Sequence, residues 1–249
     1  MLKVRVIPTL TIKGQRLVKS VRFENHRNIG NSIAAVRVFN ARNVDELIFL
    51  DIDAGKDGIQ EQLLSEVTKE CFMPVTLGGG VKSIEDFKTM LGCGADKVAI
   101  NTSALAIPEL IETASSRFGA QCVVISIDVR KVGDVYEVFC GGGHDATGKD
   151  PVTWAKEVEK RGAGEILLTS IDHDGVMDGY DLALISAVAS AVSIPVIASG
   201  GAGQSSHCVL AVRAGASAIA AASIFQYTQT TPAILKAALS AAGIPTRIF

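Results

Sequence analysis

MPVTLGGGVKS (residues 73–83) is a short apolar run that ends in a triple-glycine turn and leads into a helical pattern, the outline of one βα unit. The unit returns as IPVIASGGAGQ (194–204), displaced by 121 residues. GADKVAINT (94–102) returns as GASAIAAAS (215–223) at the same displacement, and DELIFLDID (45–53) as GEILLTSID (164–172) at 119. TLTIKG (9–14) lies against SIDVRK (126–131), with Thr11 facing Asp128 at 117. Loop insertions and deletions produce such a drifting offset. The pattern implies one half of a fold written twice, about 1–120 and 121–249, with equivalent sites on one rim.

Working outward from these units, strand candidates fall at 4–10, 46–52, 74–77, 96–101, 121–127, 165–170, 195–198 and 217–222. They are unbroken runs of Val, Ile, Leu and Ala, as expected for parallel strands covered on both faces. Helical patterns fall between them near 32–42, 58–71, 83–92, 107–117, 151–161, 182–192, 204–214 and 232–242. Strict βα alternation predicts an α/β fold, a single (β/α)8 TIM barrel over 1–249 built from two duplicated half-barrels. Two connections are long: 13–30 is read as a basic loop, and 129–150 contains a small hairpin at VYEVFCGGG.

Composition narrows the function classes. The 249 residues are 48% hydrophobic but only 5% aromatic, so the core is aliphatic. A net charge of -2 gives no general attraction to nucleic acid or an anionic membrane, so an anionic ligand must be held by local features. The five cysteines form no CxxC pair and the four histidines are not spaced as metal ligands. Reduced thiols in a cytoplasmic protein, with neither metal nor cofactor, are the expectation. Residues 182–212 lack Lys, Arg, Asp and Glu, yet the Ser186, Ser190 and Ser193 stripe, Pro195 and the SGG turn read as helix, turn and buried strand rather than a membrane span. The N-terminus shows no apolar segment of signal-peptide length.

The chemistry-bearing residues gather at strand ends. The turns containing Gly80 and Gly201, with Asn101-Thr102 and Ala222-Ser223 ending the adjacent strands, offer N–H and hydroxyl donors in two places. Such turns together with helix N-termini cradle anions, although glycines also serve plain tight connections. Two cradles imply a ligand with a phosphate at each end. Asp128 ends the fifth strand and is either an acid–base group or the cap of its own loop; Asp174 before Gly175 is a second mouth carboxylate or an Asx-turn. Asp51 and Asp53 end the second strand, one of them turned inward to orient neighbours. At the opposite ends of the strands, Arg5, Glu46, Lys97 and Glu165 are either a ring of ion pairs across the barrel floor or four separate surface charges.

IPTLTIKGQRLVK, DELIFLDI, VTLGGGV, GADKVAINT, SIDVRK, GAGEILLTSIDHDG and IASGGAG together resemble the cyclase subunit of imidazole glycerol phosphate synthase, over almost the whole chain. The resemblance implies a barrel that forms a heterodimer with a glutaminase at its base and receives ammonia through its core. The ammonia is used on a doubly phosphorylated small molecule. By motif, one phosphate falls to Gly80, Asn101 and Thr102, and the other to Gly175, Gly201, Ala222 and Ser223. Asp128 and Asp174 become catalytic, Lys19 a mobile-loop lysine that helps close the site, Arg5, Glu46, Lys97 and Glu165 the ammonia gate, and Asp96 a contact with the glutaminase.

The family pattern breaks on strand 1, where Cys-Leu-Asp-Val-Lys is replaced by TLTIK, so Thr11 stands where the partner acid of Asp128 belongs. A hydroxyl cannot serve as a general acid near neutral pH, and losing a positioned acid or base removes about 10²–10⁴ in rate. Val176 replaces a threonine, and LDIDA (50–54) stands where cyclases read LDITA. These departures resemble a second branch of cyclase-like proteins. That branch works with a glutaminase and a sugar amidotransferase to turn an acetamido sugar into an acetamidino sugar for surface polysaccharide, with a nucleotide-sugar-like small molecule as acceptor. An authentic cyclase of histidine biosynthesis, a non-catalytic ammonia channel and a phosphoribosyl isomerase are the alternatives.

Overall fold

A computed structural model describes residues 3–247. Its first half runs β1 (Arg5–Lys13), β2 (Arg16–Val21), β3 (Glu24–Gly30), α1 (Ser32–Ala41), β4 (Leu47–Asp51), α2 (Ala54–Asp57), α3 (Glu61–Lys69), β5 (Val75–Gly78), α4 (Ile84–Gly92), β6 (Lys97–Ile100), α5 (Thr102–Ala106) and α6 (Glu109–Phe118). The second runs β7 (Val123–Val132), β8 (Val135–Cys140), β9 (Asp145–Ala146), α7 (Pro151–Lys160), β10 (Glu165–Ser170), α8 (Leu182–Ala189), β11 (Val196–Ser199), α9 (Ser205–Arg213), β12 (Ala218–Ala221), α10 (Ser223–Tyr227) and α11 (Pro232–Ala241).

Strands β1, β4, β5, β6, β7, β10, β11 and β12 pair in parallel in that order, and Arg5 opposite Ala218 returns β12 to β1. The (β/α)8 barrel expected from the alternation is therefore closed, with every barrel strand inside or close to its expected range. Parallel strands alternate between two apolar environments here. On β1, Val6, Leu10 and Ile12 pack under the helices, whereas Ile7 joins Ile48, Ala99, Val124 and Leu167 inside the barrel. The stretch lacking charge from 182 resolves as α8, β11 and α9, and among the described residues no helix is long and apolar enough to cross a membrane.

One expectation is corrected. Residues 13–30 are not a loop: β1 runs on into an antiparallel hairpin in which Thr11 faces Val18 and Ile12 faces Leu17, and β3 adds a further strand. Gly14 turns the chain with φ +56, and Leu17 and Val18 are buried, which anchors the ladder. Its tip, by contrast, holds Arg22, Phe23 and Asn25 at positive φ. The hairpin expected within 129–150 is present as β7 and β8, with β9 added at its edge.

The glycine turns are built alike in the two halves. Gly79 has φ +110, and an added Cβ would lie 2.0 Å from the Asp51 carbonyl oxygen. Gly200 has φ +90, and its Cβ would lie 2.5 Å from the Ser170 carbonyl oxygen. Both turns thus need glycine for conformation and for the close approach of the preceding strand. Gly79→Ala should lower stability by about 2 kcal/mol or more, since it adds left-handed strain to a backbone collision. Urea unfolding checks this; a loss under about 0.5 kcal/mol would show that the turn can open.

Candidate functional site

The four charges at the strand starts form a closed ring. Arg5 Nη1 donates to Glu46 Oε1 at 2.7 Å, and Nη2 donates to Glu165 Oε1. Lys97 Nζ donates to Glu46 Oε2 at 3.0 Å and to Glu165 Oε2 at 2.9 Å. Each carboxylate thus bridges both cations, using both of its oxygens. Burial alone would lower the Arg5 pKa, but Glu165 and then Glu46 outweigh it, and the guanidinium is held more firmly charged than usual. Of the two sequence readings, four separate surface charges and a ring, the structure forms the ring.

Beside the ring, on the loops that enter the barrel from below, Asp96 is exposed and accepts a hydrogen bond from Val75 N at 2.8 Å. That bond ties neighbouring strand starts together, whatever else Asp96 contacts. Phe72, which sequence reasoning did not single out, precedes β5 and is 90% exposed. It is not slack, because its N–H donates to Asn40 Oδ1 at 3.1 Å. An exposed aromatic ring at the barrel floor is a signal that only burial, not residue type, can reveal.

At the other end of the barrel, Asp128 closes the inner row of β7. Asn101 Nδ2 donates to its Oδ2 at 2.7 Å and Ser126 Oγ to its Oδ1 at 3.2 Å. Burial pushes its pKa up to about 6, against the opposing pull of the hydrogen bonds from Asn101, Ser126 and Thr169. A carboxyl group poised there can exchange a proton near neutral pH. It is held by its neighbours rather than capping its own loop. Thr11 lies on the inner side of β1, four strands round the eight-strand ring and therefore opposite.

The anion donors are arranged differently from the sequence expectation. Asn101 spends its side-chain amide on Asp128 and on Phe139 O at 3.3 Å, so it orients the acid instead of reaching outward; its Oδ1 is buried with no partner. The helix after the first glycine turn is also occupied: Ser83 accepts from Asp86 N, while the Asp86 carboxylate takes Lys82 N and Ser83 N. That capping box already takes the N–H groups of Lys82, Ser83 and Asp86. What remains is the turn at Gly80, where a Cβ would lie 2.8 Å from Ala54 O, and Thr102, whose Oγ1 accepts from Gly141 N at 3.2 Å and still has its hydroxyl proton to offer.

The second group is more open to a ligand. Gly201 has φ +110 and could not carry a Cβ, which would lie 1.9 Å from Gly179 O. Ser223 is 5% exposed, and its Oγ is buried with no partner. A buried hydroxyl left unbonded costs about 1–3 kcal/mol, which an incoming anion would relieve. Asn101 and Ala222 precede α5 and α10 with nearly the same backbone, φ -125 and ψ -81 against φ -129 and ψ -67.

The β2–β3 hairpin folds over this mouth. Lys19 is 7% exposed, and its Nζ lies 3.2 and 3.4 Å from the Asp174 carboxylate oxygens. Ser20 Oγ adds a 3.4 Å bond to Asp174, and Arg22 N donates to Asp174 O at 2.8 Å. Gly175 admits this approach, because a Cβ there would sit 2.3 Å from Ser20 O. Asp174, a mouth carboxylate, is therefore paired with Lys19 and ties the lid hairpin to the rim. Asp51, buried, accepts from Asp53 N, Ala54 N and Gln60 Nε2, and shapes its own loop. Under the lid, His26 has its pKa lowered by burial and by Lys13, opposed by Asp53 and Asp174. Of the two acids expected to end the second strand, Asp51 is thus the one that orients its neighbours, and His26 was not singled out from the sequence.

The chain is similar to known proteins over almost its whole length. The family described as histidine biosynthesis protein matches residues 5–231. A Hyphomonas neptunium protein named imidazole glycerol phosphate synthase subunit HisF is 50% identical, with 99% of each chain covered. HisF of Caulobacter vibrioides is 46% identical over 100% of this chain and 97% of its own. A Campylobacter jejuni protein provisionally named imidazole glycerol phosphate synthase subunit hisF2 is 45% identical over 100% of both chains. With its barrel closed, its floor ring formed and its relatives aligned end to end, the chain belongs to the histidine biosynthesis protein family, in the group of HisF-like cyclase subunits.

Proposed function

We propose that this chain is the ammonia-accepting barrel of a glutamine amidotransferase complex, docked floor-down on a glutaminase subunit and serving acetamido-to-acetamidino conversion of a surface-polysaccharide sugar. The observation that carries the reading is the closed ring of Arg5, Glu46, Lys97 and Glu165 below an apolar barrel interior. Above the ring, Ile7, Ile48, Ala99, Val124, Leu167 and Ala218 form an apolar cluster inside the barrel. Such an interior penalises a bare ion by several kcal/mol and a small neutral molecule far less. Ammonia fits that description and ammonium does not.

Glutaminase contact is assigned to the floor around Asp96, where Phe72 offers an exposed aromatic anchor of the kind that dominates interface energetics. Gly80, Thr102, Gly175, Gly201, Ala222 and Ser223 take the two phosphates, and Asp128, with Asn101 orienting it, moves protons. A sugar acceptor is favoured over the cyclase substrate because Thr11 supplies no acid opposite Asp128. The rival, an authentic cyclase of histidine biosynthesis, is favoured by one observation, the end-to-end 50% identity to a HisF.

The purified chain, given the doubly phosphorylated ribosyl substrate of imidazole glycerol phosphate synthase and free ammonium, separates the two. Binding without single-turnover product is expected. Turnover at the rate of an authentic cyclase would overturn the sugar reading and establish the rival.

A further inference from the structure

The rim around the mouth is rich in carboxylates, and almost all of them are engaged. Asp51 is held by two backbone N–H groups and Gln60, Asp172 by Lys131 N and Arg130, Asp174 by Lys19 and Ser20, and Asp178 by His173. Asp53 differs. It occupies the N-cap position of α2 yet makes no side-chain cap bond, and among the described residues its carboxylate has no hydrogen bond or ion pair. It is only partly exposed. An N-cap aspartate normally binds the first turn of its helix, so one that does not is open to another partner.

Its place in the barrel gives that freedom a use. Ile52 N donates to Ile12 O at 3.1 Å, so residue 53 lies just beyond the end of β1, one strand round the rim from Thr11. His26, partly buried in β3 of the hairpin over the mouth, feels the charge of Asp53 together with Lys13, Asp174 and His144. The Asp53 charge therefore lies within reach of that hairpin. Thr11 pairs with Leu50, so the unengaged carboxylate sits three residues further along the neighbouring strand's path, on the same rim.

We propose that Asp53 is the second acid–base group of the mouth, partner to Asp128, so that the carboxylate pair persists but is rotated one strand round the rim. This rests on the reading of the chain as an ammonia-using barrel. When ammonia condenses with an acceptor carbonyl, the N–C bond forms, the C–O bond breaks and oxygen leaves as water. Two protons pass from nitrogen to oxygen, and Asp53 and Asp128, three strands apart on the rim, relay them. A pair rotated by one strand presents its protons to a differently seated acceptor, which fits a substrate other than that of the cyclase.

The test moves the acid back. Thr11→Asp/Asp53→Thr, Thr11→Asp and Asp53→Asn are compared with the unaltered chain in single turnover, using the doubly phosphorylated ribosyl substrate and ammonium chloride. The double variant should gain about 100-fold or more, the scale of one positioned acid, while Thr11→Asp alone gains less than about a tenth of that, because Asp53 then crowds it with like charge. Equal gains for the two, or no gain for the double variant, overturn the proposal. If the unaltered chain already turns over like a cyclase, the sugar reading fails on its own, and Asp53→Asn decides: a loss of about 100-fold upholds the role, and a change within about threefold overturns it. Folding is not at stake, since the Asp53 side chain makes no bond to lose. A separate readout is the His26 titration by NMR, whose pKa should fall further in Asp53→Asn; an unmoved His26 places the carboxylate outside the mouth and also overturns the proposal.

Discussion

Lys97→Met should destabilise the protein by about 3 kcal/mol at pH 7, within the range for breaking a buried ion pair from one side. The methionine fills the space of the lysine stem, so the loss is electrostatic rather than a cavity. Lys97 bonds one oxygen of each glutamate, and Arg5 holds the other. Removing Lys97 leaves two carboxylates, with side chains only 11% and 6% exposed, sharing a single guanidinium. The lower part of the range applies because Lys97 itself keeps 19% of its side chain exposed and water can reach the gap. Lys97→Met/Glu165→Gln should recover much of the stability at pH 7, since it removes the stranded charge. Urea unfolding measures both; a loss below about 1 kcal/mol for Lys97→Met would mean the ring behaves as solvated surface pairs.

The ring also marks where sequence reading stops. Its residue types were visible, because charges at the starts of apolar strands stand out. Their closure was not, because it depends on how strand stagger brings Lys97 of the fourth barrel strand level with Arg5 of the first. Barrel strands and helices were legible to within a few residues, since unbroken apolar runs and glycine turns such as 78–80 leave little choice of register. The lid was misjudged for a definite reason. ENHRNIG (24–30) has no apolar alternation, and β3 exists by backbone pairing to β2, which composition does not report. Asn101 shows a third limit. An asparagine at a strand end offers both donor and acceptor, and only its rotamer reveals that the donor is committed to Asp128. Asp53 was visible in LDIDA, but its lack of a bonding partner shows only once the partners of every neighbouring carboxylate are known.

Asp128→Asn should show stability and activity moving in opposite directions. Burial raises the pKa of Asp128 from 3.8 to about 6, so the native state binds this proton more tightly than the unfolded chain does. For a carboxyl group shifted upward, the native state loses stability as pH rises from about 4 to about 6, and the full penalty remains above that window. Two units correspond to about 3 kcal/mol, an upper figure for a residue still 9% exposed. Asparagine cannot ionise, and its Oδ1 can accept from Asn101 Nδ2 as the carboxylate does, with its own amide turned toward Ser126. The variant should therefore be more stable than the parent by about 2–3 kcal/mol at pH 8 and roughly equal to it at pH 4. Ammonia-dependent turnover, in whichever substrate the chain uses, should fall by about 10²–10⁴, because the exchangeable proton is gone while the shape is kept. Unfolding curves at pH 4 and pH 8 check the first half. A stability difference that does not change with pH would mean Asp128 is solvated and titrates normally, and the carboxyl group would then lack the poise that proton transfer near neutral pH requires.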